Sequence, residues 1–600
     1  MCGIMGYVGN RSAKDVVYAG LKRLEYRGYD SVGIAVLDDR IHAAKAVGDT
    51  SQLSIEKLPT SAPIGIGHTR WATHGKPSVK NAHPHTVGNI TIVHNGIVEN
   101  YEELKELIDS KALQSETDSE VLAALIDHHY KGEMLSAIQS ALGEVKGTFG
   151  LVVMCPSEPD ALYVARRGSP LVIGIGHNQN IIASDPSAIA EHTDKVIYLQ
   201  DDQIAKVSAH NVDIYDVKLT PQTLDITELN ELEARSELGS YTSFLEKEIF
   251  EQPEALQNVM RGRVNGDGTI KLGGPNLTDD EVNSITQLLI IGCGTSYYSG
   301  LYAKYKLEEM LQIPVSVEHA SEFRYRFGAY DTKHTLAIFM SQSGETADVL
   351  ASLQEAKRRH IKTMGIVNTV GSSVARQVDH GGIYLHAGQE VSVASSKAYS
   401  SMVVALLMFG AQLVYQKGGN STITKEVARE LSELPGEFRA TFALREQVQK
   451  IAPKLTGFNT WFYLGRNDLY PVALEGALKL TEVSYIHAQA FPSGEMKHGP
   501  ISLIDEKHLS VLLLPEDSVL YEKGISALEE IKARGGNILT ISTRPKPKGS
   551  DFHLQVAHVG TYADGLIYNV CLQLLALEIA TIKGVNIDKP RNLAKSVTVE

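Results

Sequence analysis

The chain has 600 residues, which is enough for two to four domains and for sizeable hydrophobic cores. With 43% hydrophobic and 21% charged residues, its composition is that of a globular protein and excludes a disordered or fibrous chain. The formal net charge of −14 argues against broad contact with nucleic-acid phosphates. We therefore expect small, locally held anionic ligands and no nucleic-acid partner.

Four cysteines are far apart in the sequence and form no Cys-x-x-Cys pair: Cys2, Cys155, Cys293 and Cys571. This use of cysteine fits a reducing compartment, and the first residues lack the charged and apolar regions of a signal peptide. The most apolar stretch, 401–415, is too short to span a bilayer and predicts a buried helix. We expect a cytoplasmic protein without a membrane partner.

Residues 1–217 contain short alternating apolar runs separated by Gly, Asn and His, which predict a domain rich in β-strands. Helices are few in this region, and one is predicted from Asp118 to His129. The sequence then becomes polar and acidic over 218–240, which is the predicted linker.

The segment MCGIMGYVGN places Cys2 directly after the initiator methionine. Removal of Met1 would expose a thiol and an α-amine on the same residue. Because an α-amine titrates near pKa ~7.7–8.0 and a thiol near ~8.5, the amine can accept the thiol proton at neutral pH. The alternative is a small buried residue at the start of a strand, and position alone favours that alternative.

The motifs CGIMGYVG, GIGHTRWATHG, HPH, IVHNGIVENY and SETDSE follow in this order and resemble the N-terminal-nucleophile glutamine amidotransferase family. The resemblance implies an αββα glutaminase domain in which Cys2 is the nucleophile. It also implies an oxyanion hole made by the side chain of Asn95 and the backbone N–H of Gly96. The glutamine-binding residues that it implies are Arg70, which can hold the α-carboxylate bidentately, Trp71, Thr73, His74 and Asp118.

Histidines cluster in the same region and raise the question of a metal site. His74, His83, His85 and His94 are close in sequence, but HPH cannot place both rings on one helical face. No carboxylate or cysteine completes a recognisable ligand spacing. We expect no metal and no cofactor.

Beyond the linker, apolar strands alternate with amphipathic helices, which predicts parallel sheets covered on both faces. The pattern occurs twice and divides near residue 425, so we predict two similar α/β lobes, 241–425 and 426–600. The first lobe has SQSGET where the second has LPEDSV. The repeat is therefore architectural, and the chemistry is asymmetric.

SQSGET follows the apolar strand LAIFM and begins a predicted helix. Ser341, Ser343 and Thr346 thus gather hydroxyls at a helix N-terminus, where unpaired N–H groups and the helix dipole favour an anion. A simple helix cap would have a similar composition. The sequence has no G-x-x-x-x-G-K-[ST], and GCGTSY lacks the third glycine of a dinucleotide fingerprint, so both nucleotide alternatives are weak.

Together GCGTS, SQSGET and VASSKAY resemble the sugar isomerase (SIS) domain, a flavodoxin-like α/β fold without a bound nucleotide. The resemblance implies a bound sugar phosphate. The residues assigned to it are Thr295, Ser296, Ser341, Gln342, Ser343, Thr346, Val393, Ser395 and Lys479.

Two carboxylates and a lysine share one face of a later predicted helix. Their i, i+4, i+7 spacing places Glu475, Lys479 and Glu482 in line. Spacing alone favours a solvated face, on which such a pair contributes only ~0.2–0.5 kcal/mol. The adjacent stripe predicted to be apolar consists of Leu474, Leu478, Thr481 and Tyr485.

Two further residues could take part in carbonyl chemistry. His498 lies in the following loop and can titrate near neutral pH. Lys595 lies in the segment DKPRNLAKSVTVE, whose apolar residues suggest that it docks on the protein. A lysine with a lowered pKa can form a Schiff base with a ketose.

Over essentially its whole length the chain resembles a family of isomerising amidotransferases that join a glutaminase domain to two SIS domains. The resemblance implies that Cys2 releases ammonia from glutamine and that the ammonia moves internally to fructose 6-phosphate, giving glucosamine 6-phosphate. Lys595 would hold the sugar as an imine, His498 would help to open its ring, and Glu482 would move a proton between C1 and C2. The family's active unit is at least a dimer, in which the neighbouring subunit supplies the histidine.

Two alternatives remain. A related amidotransferase with another acceptor should contain a pyrophosphate-binding or ATP-binding loop, and none is recognisable. A sugar-phosphate-binding regulatory protein would have no use for Cys2, Glu482 and Lys595 together. One departure from the family is Thr481, which stands beside Glu482 where relatives commonly have lysine.

Overall fold

The computed structural model describes residues 2–109, 111, 113–229 and 238–597. In it the chain divides into two compact units. The first comprises the described residues of 1–235, 345–347 and 594–600, and the second those of 236–344 and 348–593. The domain boundaries inferred from the sequence remain predictions.

The first unit is built on two antiparallel sheets. Its strands are β1 (Gly3–Gly9), β2 (Ser31–Leu37), β3 (Ile41–Val47), β4 (Ile64–Arg70), β5 (His85–Val87), β6 (Ile90–Val98), β7 (Gly147–Met154), β8 (Ala161–Arg167), β9 (Val172–Gly176), β10 (Gln179–Ala183), β11 (Lys195–Tyr198), β12 (Gln203–Ser208), β13 (Val212–Asp216), β14 (Pro221–Gln222) and β15 (Thr227–Glu228). Its helices are α1 (Ala13–Leu24), α2 (Tyr101–Leu104), α3 (Asp118–His129) and α4 (Met134–Glu144). The strand orders are β15-β11-β9-β10-β1-β4-β2-β3 and β14-β13-β12-β8-β7-β6-β5.

The two sheets pack face to face through an apolar layer. Side chains alternate across a strand, so every second residue of β1 and β4 points into this layer. Ile4, Ile64 and Ile66 of the eight-stranded sheet meet Val93 and Val152 of the seven-stranded sheet there. Cys2 and Arg70 lie at one end of this layer. Cys2 directly precedes β1, and Arg70 is the last residue of β4.

Helices cover the two outer faces. Val17 of α1 packs with Met5 on the outer face of the eight-stranded sheet. On the other side, Leu122 of α3 and Ile138 of α4 pack with Ile92. The layers are therefore helix, sheet, sheet and helix, which confirms the predicted αββα fold, and α3 has the predicted bounds.

The predicted linker 218–240 does not lie wholly outside the sheets. β14 pairs with β13 at the edge of one sheet, and β15 pairs with β11 at the edge of the other. Strands of two residues have no periodicity that a sequence pattern could reveal. Residues 230–237 of the linker lie outside the described part of the chain.

The second unit contains two parallel sheets. Its strands are β16 (Gln287–Gly292), β17 (Val315–His319), β18 (Thr335–Ser341), β19 (Lys362–Val367), β20 (Gly382–Tyr384), β21 (Thr460–Gly465), β22 (His487–Pro492), β23 (His508–Leu514), β24 (Asn537–Ser542) and β25 (Phe552–Gln555). The helices are α5 (Phe244–Phe250), α6 (Gln252–Met260), α7 (Asp279–Ser284), α8 (Thr295–Leu311), α9 (Ala320–Phe323), α10 (Ala347–Arg358, whose first residue belongs to the first unit), α11 (Ser373–Gln377), α12 (Lys397–Gln416), α13 (Ser421–Thr441), α14 (Arg445–Leu455), α15 (Leu469–Ser484), α16 (Ser518–Lys532) and α17 (Asp564–Lys583).

The two sheets have the same topology. Their orders are β17-β16-β18-β19-β20 and β22-β21-β23-β24-β25, with every pair parallel. Each therefore has the 2-1-3-4-5 order of a flavodoxin-like lobe, as the resemblance to the SIS domain implies. The predicted division near residue 425 falls inside α13 rather than in a loop.

Helices pack on both faces of each sheet. Leu353 of α10 packs on Phe339 of β18, and Leu528 of α16 packs on Leu512 of β23. The opposite faces share one large core that includes α8, α12, α15 and α17. In that core the apolar stretch predicted to be a buried helix is α12.

The sequence predicted that the apolar stretch 401–415 is too short to span a bilayer, and this prediction was wrong, because the helix α12 that contains it is longer. Both α12 and α17 have 20 residues and are long and apolar enough to cross a membrane. However, 94% of the apolar window of α12 and 89% of that of α17 is buried inside the protein. Such burial is that of core helices, so the prediction of a buried helix is confirmed for α12.

Candidate active sites

The Cys2 thiol lies where β1 begins. The backbone N–H of Trp71 donates to its Sγ at 3.2 Å. Burial raises the pKa of the thiol, while the hydrogen bond from Trp71 and the positive charge of Arg70 oppose that rise. A thiol in this setting needs a nearby base to become a thiolate, and its own α-amine would be such a base.

Arg70 ends β4 and stabilises the loop that follows it. Its Nη2 donates to the carbonyl oxygen of His74 and, at 3.1 Å, to that of Gly75. Its Nη1 is buried and has no hydrogen-bond partner among the described residues. An unpaired buried donor is costly, so this atom is suited to a carboxylate ligand.

Asp30 fixes the start of the same loop and was not found from the sequence. Its Oδ2 accepts a hydrogen bond from the backbone N–H of Ala72 at 2.8 Å. The loop from Trp71 to Gly75 is thus anchored by a carboxylate at one end and by Arg70 at the other. A lone aspartate next to a strand gives no sequence signal for such a contact.

Asn95 and Gly96 lie on β6, in the sheet that faces Cys2. Asn95 is 3% exposed, and its Nδ2 donates to the carbonyl oxygen of Cys2 at 3.1 Å. Gly96 has φ +140°, and a Cβ there would lie 2.0 Å from the carbonyl oxygen of Thr148. Only glycine fits this backbone. Any other residue at position 96 would have to shift the backbone, and the N–H would move with it.

Asp118 begins α3 and is 4% exposed. Its Oδ2 accepts from the Val98 N–H, and its Oδ1 accepts from the Ser119 N–H, both at 2.9 Å. Thr117 caps the helix by accepting from the Glu120 N–H at 3.3 Å. These hydrogen bonds hold a buried carboxylate in place, and an ammonium group could pair with it.

Cys2, Arg70, Asn95, Gly96 and Asp118 line one small cavity. Five separate chain segments contribute to it. Of the predicted glutaminase residues, His74 alone is not among the lining side chains, and it contacts the Tyr101 ring edge-on instead, with ring centres 5.5 Å apart. The lining residues are Cys2, Arg70, Trp71, Thr73, His83, His94, Asn95, Gly96, Thr117, Asp118 and Ser119.

The histidines form a stack and not a ligand set. His68 and His83 are stacked with ring centres 4.1 Å apart, and His85 meets His83 edge-on at 4.6 Å. Burial lowers the pKa of all three rings. Among the described residues, no group of three or more His, Cys, Asp or Glu side chains is placed to hold a metal ion.

The SQSGET segment lies at the carboxyl end of β18, as its pattern predicts. Ser341 is the last residue of the strand, and its Oγ accepts from the Gly344 N–H at 3.0 Å. Thr346 directly precedes α10. β16 and β18 are parallel neighbours, and the order in which strands are added to the sheet reverses between them. Ligands of such folds bind at the carboxyl ends of the strands next to this point.

In the second lobe, a carboxylate caps the helix that corresponds to α10. At the start of α16, Oδ1 of Asp517 accepts from the Leu520 N–H at 2.8 Å. The helix N-terminus is therefore already occupied by a carboxylate, which would repel a phosphate. This contact gives a physical reason for the asymmetry between SQSGET and LPEDSV.

Glu475, Lys479 and Glu482 of α15 form an ion-paired cluster with Thr295, the first residue of α8. Lys479 Nζ lies 2.8 Å from Glu482 and 3.4 Å from Glu475, and it donates to Thr295 Oγ1 at 3.0 Å. The Thr295 hydroxyl donates in turn to Glu475 at 3.2 Å. This network joins residues from both lobes.

The interpretation of this helix face as solvated was wrong. Glu475 is fully buried, and Lys479 is 2% exposed. The predicted apolar stripe was misplaced too, since Thr481 is exposed and Leu474 is only half-buried. An i, i+4 pair has the same spacing on a buried face as on an exposed one, so the sequence could not separate the two.

Charge and burial act against each other in this cluster. Burial raises the pKa of Glu475 to about 7, although Lys479 opposes the rise. Burial alone would lower the pKa of Lys479, but the charges of Glu475 and Glu482 raise it instead. Lys479 is therefore a fixed cation between two carboxylates, one of which can change its charge near neutral pH.

Val393 and Ser395 lie in the loop between β20 and α12. Glu390 organises this loop by accepting from the Ser395 hydroxyl and the Ser396 N–H, both at 2.9 Å. The Val393 N–H donates to the carbonyl oxygen of Asp588 at 3.1 Å. Glu390 is 3% exposed and was not singled out from the sequence.

The last two predicted site residues are His498 and Lys595, and their roles stay predictions. His498 is exposed at the end of a short 3₁₀ helix, and no hydrogen bond in the described part of the chain joins it to the α15 cluster. Lys595 is half-buried, in a segment whose Val597 carbonyl oxygen accepts from the Ala347 N–H at 3.1 Å. This contact agrees with the expectation that the C-terminal segment docks.

Comparison with known proteins agrees with this arrangement. Residues 68–191 match the glutamine amidotransferase domain family, and residues 282–411 and 454–583 each match the SIS domain family. Both regions of the chain that the sequence assigned to a sugar-phosphate lobe therefore contain an SIS domain.

Curated relatives match over their full length. The glutamine–fructose-6-phosphate aminotransferase [isomerizing] of Chlorobaculum tepidum is 43% identical over 618 residues, and the one of Bacteroides thetaiotaomicron is 42% identical over 621, each match covering 100% of both chains. A solved structure, the C-terminal domain of glucosamine-fructose-6-phosphate aminotransferase from Francisella tularensis, is 35% identical with a TM-score of 0.56. It matches 59% of this chain and 100% of its own. The chain belongs to the glutamine–fructose-6-phosphate aminotransferase (isomerizing) family.

Proposed function

We propose that this protein transfers the amide nitrogen of glutamine to fructose 6-phosphate and releases glutamate and glucosamine 6-phosphate. The observation that supports it best is the cavity in which Cys2, Arg70, Asn95 and Asp118 meet, four groups that a glutaminase requires. Membership of the family gives the acceptor sugar. The SIS lobes then supply a place for the sugar phosphate, separate from the cavity that binds glutamine.

In the glutamine half-reaction, Arg70 holds the α-carboxylate and Asp118 holds the α-ammonium. With Met1 removed, the α-amine of Cys2 takes the thiol proton, and the thiolate attacks the side-chain amide carbon. Asn95 Nδ2 and the Gly96 N–H stabilise the oxyanion. The C–N bond breaks as the protonated α-amine gives its proton to the leaving nitrogen, so that ammonia departs, and water hydrolyses the thioester to glutamate and free Cys2.

In the sugar half-reaction, the hydroxyls of Ser341, Ser343 and Thr346 and the N-terminus of α10 bind the phosphate. Thr295, Ser296, Gln342, Val393 and Ser395 contact the rest of the sugar. These are the residues that lie at the carboxyl ends of the first lobe's strands and in the loop before α12.

Lys595 then condenses with the C2 ketone and expels water, which gives an imine. Ammonia adds at C2 and displaces the lysine. Glu482 removes a proton from C1 and returns it to C2, so that C1 becomes the aldehyde of the amino sugar. Lys479, paired with Glu482 at 2.8 Å, holds that carboxylate in place.

Ring opening is assigned to His498, contributed by a second copy of the chain, so the proposed active unit is a homodimer. An exposed histidine with no bond to the α15 cluster is consistent with that arrangement. We also propose a cytoplasmic location, since all four cysteines are free.

The test incubates the purified protein with glutamine and fructose 6-phosphate and measures both products. We expect equal amounts of glutamate and glucosamine 6-phosphate. Cys2→Ala should release no glutamate and yet bind fructose 6-phosphate as tightly as the unmodified protein. Glutamate release without any amino sugar would refute the proposal.

A further inference from the structure

A histidine interrupts an otherwise apolar row between the two sheets of the first unit. Ile64 and Ile66 of β4 point into the apolar layer, and His68 is the next residue on the same face. It is 1% exposed, and its neighbours across the sheet are Ile4 and Gly33. A polar side chain at such a position needs a partner, because burial without one is costly.

The partner lies on the opposite sheet. His68 Nε2 is 3.0 Å from Oδ1 of Asn95 and 3.1 Å from the carbonyl oxygen of His94. Both of these atoms can only accept, so Nε2 must hold the hydrogen. Burial lowers the pKa of His68 to about 3, and the ring is therefore neutral, with its one N–H shared between two acceptors.

This contact decides which way the Asn95 amide faces. With Oδ1 accepting from His68, Nδ2 is turned toward Cys2 and donates to its carbonyl oxygen at 3.1 Å. If the amide were flipped, its N–H₂ would face the N–H of His68, and two donors would oppose each other. Its oxygen would then face the cavity. An amide oxygen there would repel an oxyanion instead of stabilising it.

We propose that His68 is a positioning residue of the glutamine half-reaction, which holds the Asn95 amide with its N–H₂ toward the oxyanion of the thioester-forming step. The inference rests on the proposed glutaminase activity and deepens it. His68 is not among the residues that line the cavity. It acts through its hydrogen bond to Asn95.

The residues packed around His68 support the same role. His83 stacks on its ring at a centre distance of 4.1 Å and an angle of 14°. The His83 Nδ1 accepts from the His94 N–H at 3.2 Å, which fixes the His83 ring. A Cβ on Gly33 would lie 2.1 Å from the His83 carbonyl oxygen, so glycine at position 33 is what allows this loop to approach the strand.

The test uses His68→Leu, which continues the apolar row and cannot donate a hydrogen bond, and His68→Gln, which can. Removing one oxyanion donor costs about 10²–10³ in kcat, so we expect His68→Leu to lower kcat for glutamate release about 10- to 100-fold. KM for glutamine should change less than threefold, since Arg70 and Asp118 are untouched. His68→Gln should recover most of the lost kcat.

A double-mutant cycle with Asn95→Ala distinguishes an effect of His68 on the orientation of the Asn95 amide from a general loss of structure. Once Asn95 is gone, His68 has no amide to orient, so the double variant His68→Leu/Asn95→Ala should have the kcat of Asn95→Ala within twofold. The rate at which iodoacetamide alkylates Cys2 should be the same in all variants, because alkylation needs the thiol and no oxyanion hole. Should His68→Leu fail to fold, the same cycle is measured with His68→Ala.

Fully multiplicative losses in the double variant would overturn the inference, as would a KM effect larger than the kcat effect. An unmodified protein that releases no glutamate would instead count against the proposed function. The two failures are thus distinguishable by the behaviour of the unmodified chain.

Discussion

Lys479 Nζ lies 2.8 Å from Oε2 of Glu482, three residues along the same helix, and also donates to Thr295 at the start of α8. The pair would be ordinary on a surface, where it contributes little. Here Lys479 is 2% exposed, so removal of either charge leaves the other partly desolvated. Glu475 adds a second carboxylate to the same cation at 3.4 Å.

Glu475 predicts a pH dependence of stability. Its pKa is raised by burial to about 7 in the folded chain, against about 4.3 for an unperturbed glutamate. A carboxyl group with a raised pKa favours the folded state fully below its unfolded pKa, and this stabilisation is lost as the pH rises through 7. The melting temperature should therefore fall between pH 5 and pH 8 by more in the unmodified protein than in Glu475→Gln, measured by calorimetry.

The matched control for this experiment is Glu433→Gln, a half-exposed glutamate on α13 that pairs with Arg429 at the surface. It should show the same pH profile as the unmodified protein. Identical profiles for Glu475→Gln and the unmodified protein would contradict the raised pKa.

Gly96 and Gly132 provide a matched pair for the oxyanion hole. Both have positive φ, +140° and +96°, but a Cβ meets Thr148 O at 2.0 Å in the first case and nothing within 4 Å in the second. The backbone strain of alanine, about 1–3 kcal/mol, is common to both variants, while the collision is specific to Gly96. Gly96→Ala should melt at a lower temperature than Gly132→Ala and lose glutamate release at least 100-fold.

Gly132→Ala should retain its glutamate release within twofold, measured under saturating glutamine. Equal losses of activity in both variants would show that positive φ alone explains the effect and would remove the argument for a special role of the Gly96 backbone.

The two lobes offer a control for phosphate binding. Ser343→Ala removes a hydroxyl before α10, and Ser518→Ala removes one at the start of α16, where Asp517 already caps the helix. A hydrogen bond to a charged group contributes about 1.5–3 kcal/mol. KM for fructose 6-phosphate should therefore rise about 10- to 100-fold in Ser343→Ala and stay unchanged in Ser518→Ala.

Glutamate release measured without sugar should be unaffected in both of these variants. A rise in KM for fructose 6-phosphate in Ser518→Ala as large as that in Ser343→Ala would contradict the asymmetry between the lobes.

Lys595 should be trapped by borohydride in the presence of fructose 6-phosphate and absence of glutamine. Reduction of the imine gives a stable secondary amine, which peptide mass spectrometry locates. Lys595→Arg keeps the positive charge but cannot form the imine, so it should give no adduct. Labelling of a different lysine in the unmodified protein would refute the assignment.

Local pattern was sufficient for much of the fold. The apolar strand before SQSGET is β18, and the amphipathic helix after it is α10, because strand and helix periods are properties of adjacent residues. The repeated rhythm of strand, turn and helix predicted two similar lobes, and the two lobes share one strand order. The same reasoning placed α3 from Asp118 to His129.

The features that could not be predicted from the sequence depend on contacts between residues that are far apart along the chain. His68 is recognisable as important only through Asn95, which is 27 residues away on the other sheet. The burial of Lys479 depends on Thr295, 184 residues away and in the other lobe. β15 in the predicted linker pairs with β11 through only two residues. No periodicity records such contacts, so only the three-dimensional arrangement reveals them.

The most direct test of the central claim follows the nitrogen atom itself. The protein is supplied with fructose 6-phosphate and glutamine labelled with ¹⁵N at the side-chain amide, in the presence of excess unlabelled ammonium, and the amino sugar is analysed by mass spectrometry. If Cys2 releases ammonia that moves internally to the sugar, the glucosamine 6-phosphate should contain ¹⁵N with little dilution. An unlabelled product, or no amino sugar at all, would contradict the claim.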